Sequence, residues 1–287
     1  MILMILISLA VVMCQGCERS TAAAAQGKGP RIVALSPAAG IILRDLGRES
    51  QIVGRHGYDD FLPREVPTCG DQAGIDFERL LGVEPTHIVT QWGRRDYPAR
   101  LRELAIERGW VLLDVPLMTL ADIEEGARQV DAALGAPPEG SAEYAVLRER
   151  MGEAWRKKDG MEHAGRVLLL ASTNPPAAFG PGSCHHDILL RLGAIPAVTE
   201  GAAYIEMDAE DVLRCAPDTI VLVLPRSRGR PASPDARAAL GSLSGLGLAA
   251  VKAGRVVLID DPACQIPSTS MIRFAEALAE GLQRVAR

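Results

Sequence analysis

The sequence predicts an α/β protein of two similar lobes, each built on a parallel sheet, joined by a rigid helical connector with a ligand cleft between the lobes. Three observations lead there. Short apolar runs alternate with segments of helical period, the pattern of βα units around a parallel sheet. One block of twelve residues recurs without a gap 132 positions later. Between the two copies, residues 120–160 carry helical periodicity and no strand pattern.

In the first half, Arg31 to Leu35 is a short apolar run and reads as a buried strand. Ala38 to Leu46 reads as a helix stopped by Gly47. Ile52-Val53-Gly54 is a second strand, and Asp76 caps a short helix to Leu81. A strand at His87–Thr90, a helix at Pro98–Glu107 and a strand at Val111–Val115 complete the lobe, placed at 31–119. The connector holds one helix over Leu120–Leu134, ended by Gly135 and Pro137-Pro138, and a second over Glu139–Lys158. Leu147, Met151 and Trp155 recur every four residues on one face of that second helix. The second lobe, 161–287, restarts with a strand at Val167–Leu170 and a helix at Cys184–Leu192, capped by Ser183. Strands at Ile220–Leu224 and Arg255–Ile259 follow, then a closing amphipathic helix at Met271–Val285. The recurring block runs from Glu78 to Val89 and from Glu210 to Val221, with Glu, Leu, Pro, Ile and Val at matched positions.

A hydrophobic fraction of 48% supports a sizeable core, and a net charge of −5 argues against nucleic-acid binding and against disorder. Met1–Met13 is apolar and uncharged, too short to span a bilayer but long enough for a signal-peptide core. Cys17 follows Gly16, as a lipidated cysteine follows a small residue, whereas Cys14 follows the bulky Met13. Residues 1–16 are therefore expected to be cleaved and Cys17 to carry a lipid, with 17–30 as a tether. A plain secretory signal is the alternative. Outside the cytoplasm Cys69, Cys184, Cys215 and Cys264 are free to pair, in any of three connectivities. The absence of CxxC from the mature part excludes a zinc ribbon.

Together, Arg31 to Pro37, Ile52-Val53-Gly54, Tyr58-Asp59-Asp60, Gly70-Asp71, the repeated block, Asn174-Pro175-Pro176 and Val251 to Val256 resemble one family in their order. It is the cobalamin and ferric-siderophore class of substrate-binding proteins of ABC importers, whose two Rossmann-like lobes flank a rigid helical backbone. The resemblance covers roughly residues 31–287, and Asn174-Pro175-Pro176 is most like the vitamin B12-binding members. It implies a periplasmic protein, membrane-held by its lipid, that binds a corrinoid, haem or iron chelate and delivers it to an inner-membrane permease. No catalysis and no resident cofactor or metal are implied.

Ligands of open α/β sheets lie outside the carboxyl ends of the strands. That rule selects Ser36-Pro37, His56-Gly57-Tyr58, Asp71–Gly74 and Gln91–Arg94 in the first lobe, and Thr173–Gly182, Pro225–Arg228 and Asp261-Pro262 in the second. Tyr58 and Trp92 are the candidate rings for a flat ligand, in a chain with only three Trp, four Tyr and four Phe. The resemblance places Tyr58 at a cleft tyrosine and Trp92 beside a cleft tryptophan, and puts Gln72 where the family has another aromatic. Phe179 and Tyr204 are weaker candidates. Arg94, Arg95, Arg226, Arg228 and Arg230 offer guanidinium forks to an anionic ligand. Ser36, Pro37, Gln72, Pro175 and Asp261 complete the expected ligand-binding set. Glu78 and Glu210 stand at matched positions of the repeat; the resemblance implies that they bridge to permease arginines, and both also suit a helix first turn.

Three other readings compete. A Cys184/His185 pair suggests a hydrolase, but no Gly-x-Ser-x-Gly, H-E-x-x-H or G-x-G-x-x-G accompanies it. A zinc or manganese binder needs several separated ligands, and the chain has only His56, His87, His163, His185 and His186. A sensor on the same scaffold is the third.

Overall fold

A computed structural model describes residues 29–93, 96–227, 229 and 235–287. The first sheet comes from β1 (Ile32–Ala34), α1 (Pro37–Asp45), β2 (Ile52–His56), β3 (Thr68–Asp71), β4 (Gly74–Ile75), α2 (Phe77–Gly82), β5 (His87–Thr90), α3 (Ala99–Arg108) and β6 (Val111–Asp114). Its strand order is β4-β3-β2-β1-β5-β6, parallel except for the β3–β4 hairpin at the edge. Two helices follow, α4 (Leu120–Ala133) and α5 (Ala142–Ala154). The second sheet comes from β7 (Arg166–Thr173), β8 (Pro176–Phe179), α6 (Cys184–Leu192), β9 (Ile195–Pro196), β10 (Tyr204–Glu206), α7 (Ala209–Cys215), β11 (Thr219–Val223), α8 (Ala236–Ala239), α9 (Ala249–Lys252) and β12 (Val256–Ile259), and α10 (Met271–Val285) closes the chain. Its order is β10-β8-β7-β11-β12, with β9 also on β7.

The local signals act as physical chemistry requires. The side chain of Asp76 accepts the Arg79 N–H and caps α2, and Ser183 does the same for α6 through the His186 N–H. Tyr144, Leu147, Met151 and Trp155 form the buried face of α5. Two expectations need correction. The second connector helix is shorter than 139–158: it starts at the Ser141 cap and ends at Trp155, because the Lys158 N–H turns to the Leu192 carbonyl and the chain passes Gly160 in the left-handed region. Thr173–Gly182 is not all loop. It folds back as β8 antiparallel to β7, so the second sheet is mixed at that edge.

The repeat is also a repeat of geometry. Asp76 and Asp208, 132 positions apart, both cap their helices. Glu84 and Ala216, again 132 apart, are the only non-glycine residues with positive φ among those described, at 43° and 41°. Two positions later, Thr86 Oγ1 accepts the N–H of Arg31 (2.9 Å) and the Asp218 carboxylate accepts that of Arg166 (2.8 Å). In each lobe the same turn therefore fastens the start of the opening strand.

The largest core cluster belongs to neither lobe alone. It runs from Ile32, Ile42 and Val89 through Leu120, Ile123, Leu147, Met151 and Trp155 to Val167, Ile188, Phe274 and Leu278. Polar ties cross the same seam: Thr269 Oγ1 donates to Asp45 Oδ2 (2.6 Å), the Leu120 N–H to Asp187 Oδ2 (3.2 Å), and the Cys184 N–H to the Met118 carbonyl (2.7 Å).

Candidate functional site

The carboxyl ends of β1, β2, β3 and β5 carry the loops that line one recess of about 510 Å³. Its walls bring together Ser36 and Pro37, His56, Asp71 and Gln72, and Gln91 and Trp92. Each loop has a local reason for its course. The Ser36 hydroxyl caps α1 by accepting the Ala39 N–H at 3.0 Å, with Pro37 in the first turn, where a missing N–H costs nothing. The Asp71 carboxylate accepts the Ala73 N–H at 2.7 Å and tightens the β3–β4 turn. Asp114, at the end of the neighbouring strand, accepts from the Trp92 N–H (2.6 Å) and the Thr90 hydroxyl (2.8 Å), which fixes the base of the Trp92 loop. Trp92 is half-buried, tilted 55° against Tyr97, and packs against the first lobe's smaller core as well as lining the recess.

Tyr58 stands at the rim, 62% exposed, its ring 5.7 Å from that of His56. Its loop is held from below by Arg55 and Asp59, neither of which is among the expected ligand-binding residues. Arg55 donates to the carbonyls of His56, Asp59 and Val66. Asp59 is buried and accepts the Phe61 and Leu62 N–H groups on one oxygen. Burial pushes the Asp59 carboxyl up, against the pull of those bonds and of Arg55 and Arg44. A signal for Asp59 was available: an Asp two and three residues before the amides it accepts is an Asx turn.

A second recess, of about 560 Å³, lies between the lobes: Asp60 to Arg64 face Ser227 and Gly229 across it. Next to it Arg226 is committed to Asp260, with Nη1 at 2.8 Å from Oδ1. Asp261 pairs with Arg273 at 3.2 Å and accepts the Ala263 N–H. Pro175 is exposed at the β7–β8 turn, after a cis peptide bond from Asn174. Arg94, Arg95, Arg228 and Arg230 lie outside the described residues, as do Cys14 and Cys17. Glu78 and Glu210 are exposed in the first turns of α2 and α7. Tyr204 is 53% exposed and set edge-on to Phe179, away from the first-lobe recess.

Cys184 and His185 are core. His185 is fully buried, stacked on Phe179 at 3.7 Å, and its Nε2 donates to the Cys264 carbonyl at 2.7 Å. Burial pushes the Cys184 thiol up to about 12, so it supplies no thiolate nucleophile near neutral pH. His87 and His186 bond the carbonyls of Ala133 and Val198. Among the described residues no three His, Cys, Asp or Glu side chains gather as a metal site, and Cys69, Cys184, Cys215 and Cys264 are free thiols. No helix of the described residues is long and apolar enough to cross a membrane.

The two sheets, each with its loops at the carboxyl ends of the strands, make up a two-lobed α/β architecture with a cleft between the lobes. No family model and no curated sequence matches the chain. Solved structures do: the periplasmic vitamin B12-binding protein BtuF of Vibrio cholerae, with a TM-score of 0.67 at 19% identity over 89% of this chain and 97% of that one. The periplasmic haem-binding protein RhuT of Roseiflexus sp. RS-1 gives 0.66 at 18%, over 91% and 100%. The periplasmic haem-binding protein HutB of Vibrio cholerae gives 0.67 at 18%, over 90% and 97%. The chain shares the fold of these proteins.

Proposed function

We propose that the protein is the substrate-binding component of an ABC importer, which captures a corrinoid, haem or ferric siderophore between its lobes and hands it to an inner-membrane permease. One observation carries this reading: all four loop groups selected in the first lobe meet in a single recess, beside a ring at its rim, in a fold shared with B12- and haem-binding proteins. Ser36, Pro37, Gln72 and Trp92 form the recess wall and Tyr58 its rim; Pro175, Arg226 and Asp261 are the second-lobe contributions. Arg94 and Arg228 meet the anionic groups of the ligand. Glu78 and Glu210 dock the permease as a matched pair, and Cys17 carries the lipid that holds the protein at the periplasmic membrane face.

Calorimetry of the chain from residue 18 onward with cyanocobalamin, haemin and a ferric hydroxamate tests the first step. Saturable binding of at least one chelate is expected; binding of none, with tight binding of free zinc, refutes the reading. In the same series, Glu78→Ala with Glu210→Ala keeps chelate affinity and loses delivery to vesicles carrying the permease. Unchanged delivery removes the docking role.

A further inference from the structure

His56 belongs to the recess wall, and its ring is not free to choose a tautomer. The backbone N–H of Tyr58 points at Nδ1, 3.2 Å away. A backbone N–H only donates, so Nδ1 carries the lone pair, and in the neutral imidazole the proton sits on Nε2. Nε2 has no protein partner of its own among the described residues and is the nitrogen left to meet a bound molecule.

Resting on the chelate-binding reading above, we infer that His56 is a specificity-determining residue of the recess: it offers an Nε2–H donor to an oxygen acceptor on the ligand rim, and does not coordinate the ligand's metal. Coordination needs a lone pair on Nε2, and that would move the proton to Nδ1, against the Tyr58 N–H. Burial lowers the pKa of His56, with the nearby Asp71 carboxylate opposing, so the neutral ring is the form at pH 7. The rest of the wall agrees with a rim of oxygen and nitrogen groups. Ser36, Gln72 and Gln91 are neutral hydrogen-bonding side chains, and Asp71 is the one charged side chain among the recess residues described. A ligand is thus read at this wall by its periphery, through carbonyl or carboxylate oxygens, while its metal centre is met elsewhere or not at all.

The test compares the full-length wild type with His56→Gln, which keeps an N–H donor, and His56→Leu, which has none. Calorimetry uses cyanocobalamin and haemin as probes, and absorption and electron spin resonance read the iron of bound haemin. His56→Leu is expected to weaken the bound probe roughly three- to tenfold, the size of one hydrogen bond. His56→Gln recovers most of that loss, and the iron spectra are the same in all three proteins. A changed iron coordination signature in His56→Leu, or equal affinities throughout, overturns the assignment. Nitrogen-15 spectra of the ligand-free protein give an independent reading: protonated Nε2 with bare Nδ1 is expected, and the opposite tautomer overturns the inference. Absence of binding by the wild type refutes the chelate reading instead, and the nitrogen spectrum, which needs no ligand, tells that failure apart.

Discussion

A histidine held in an apolar interior stays neutral only while the pH is high enough, and His185 is such a residue. Phe179 stacks on it, Phe274 meets it edge-on with centroids 4.8 Å apart, and its one strong bond goes to a carbonyl. Burial lowers its pKa to about 4 from 6.5. The unfolded chain therefore binds the proton first on acidification, and stability is lost as the pH falls from the unfolded toward the folded value. Urea denaturation should show a loss on the order of 3 kcal/mol from this group between pH 7 and pH 4. That component should vanish in His185→Leu, whose overall stability is lower; an unchanged pH slope in the variant would contradict the assignment. The residue also shows why composition misleads at this scale. Cys184-His185-His186-Asp187 reads as chemistry in one dimension, yet the helix turns each side chain to a different neighbour, and three of the four lie buried in packing contacts. Arg226 is the reverse case: its place in an arginine-rich stretch suggests a free cation, while its ion pair with Asp260 is made 34 positions away.

At the scale of elements, the features that depend on neighbours in the chain were legible. The caps at Asp76 and Ser183, the strand His87–Thr90 and the helix Cys184–Leu192 all follow from residues within one or two turns. What escaped depends on distant partners: β8 exists because it pairs with β7 and β10 because it pairs with β8, and α5 stops where Lys158 finds Leu192. The recess loops were legible because the fold rule is topological; Asp59, beneath the Tyr58 loop, carried an Asx-turn signal, whereas Arg55 works through distant backbone carbonyls that no side-chain motif marks. The repeated turn makes a prediction of its own. Ala216 holds a left-handed conformation that costs a Cβ-bearing residue roughly 1–2 kcal/mol. Ala216→Gly should raise stability by up to about 1 kcal/mol, since the relief exceeds the added chain entropy of glycine. A lower denaturation midpoint would show that the turn carries no such strain.

For the molecule as a whole, the decisive fact is that one core passes through both halves. Trp155, fully buried on α5, packs in the same cluster as residues of both sheets. The lobes should therefore unfold together: far-ultraviolet dichroism and tryptophan fluorescence should give coincident transitions. Trp155→Ala should lower that single transition by about 3–5 kcal/mol. Two separated transitions in the wild type would mean that the seam is weaker than its packing implies. The duplication visible along the chain is in this sense hidden in the fold, because the two copies have merged their interiors.

The bond from Thr269 to Asp45 and the shared core beneath it have a consequence for communication. A binding protein whose halves swing announces its cargo by changing outline. On the function proposed above, the shared core and the Thr269–Asp45 bond predict little change of outline, so that Glu78 and Glu210 are expected to keep one spacing in scattering profiles taken with and without ligand. On that proposed function, a permease meeting this surface has to learn of the cargo at the mouth itself, from the cargo or from the loops that touch it.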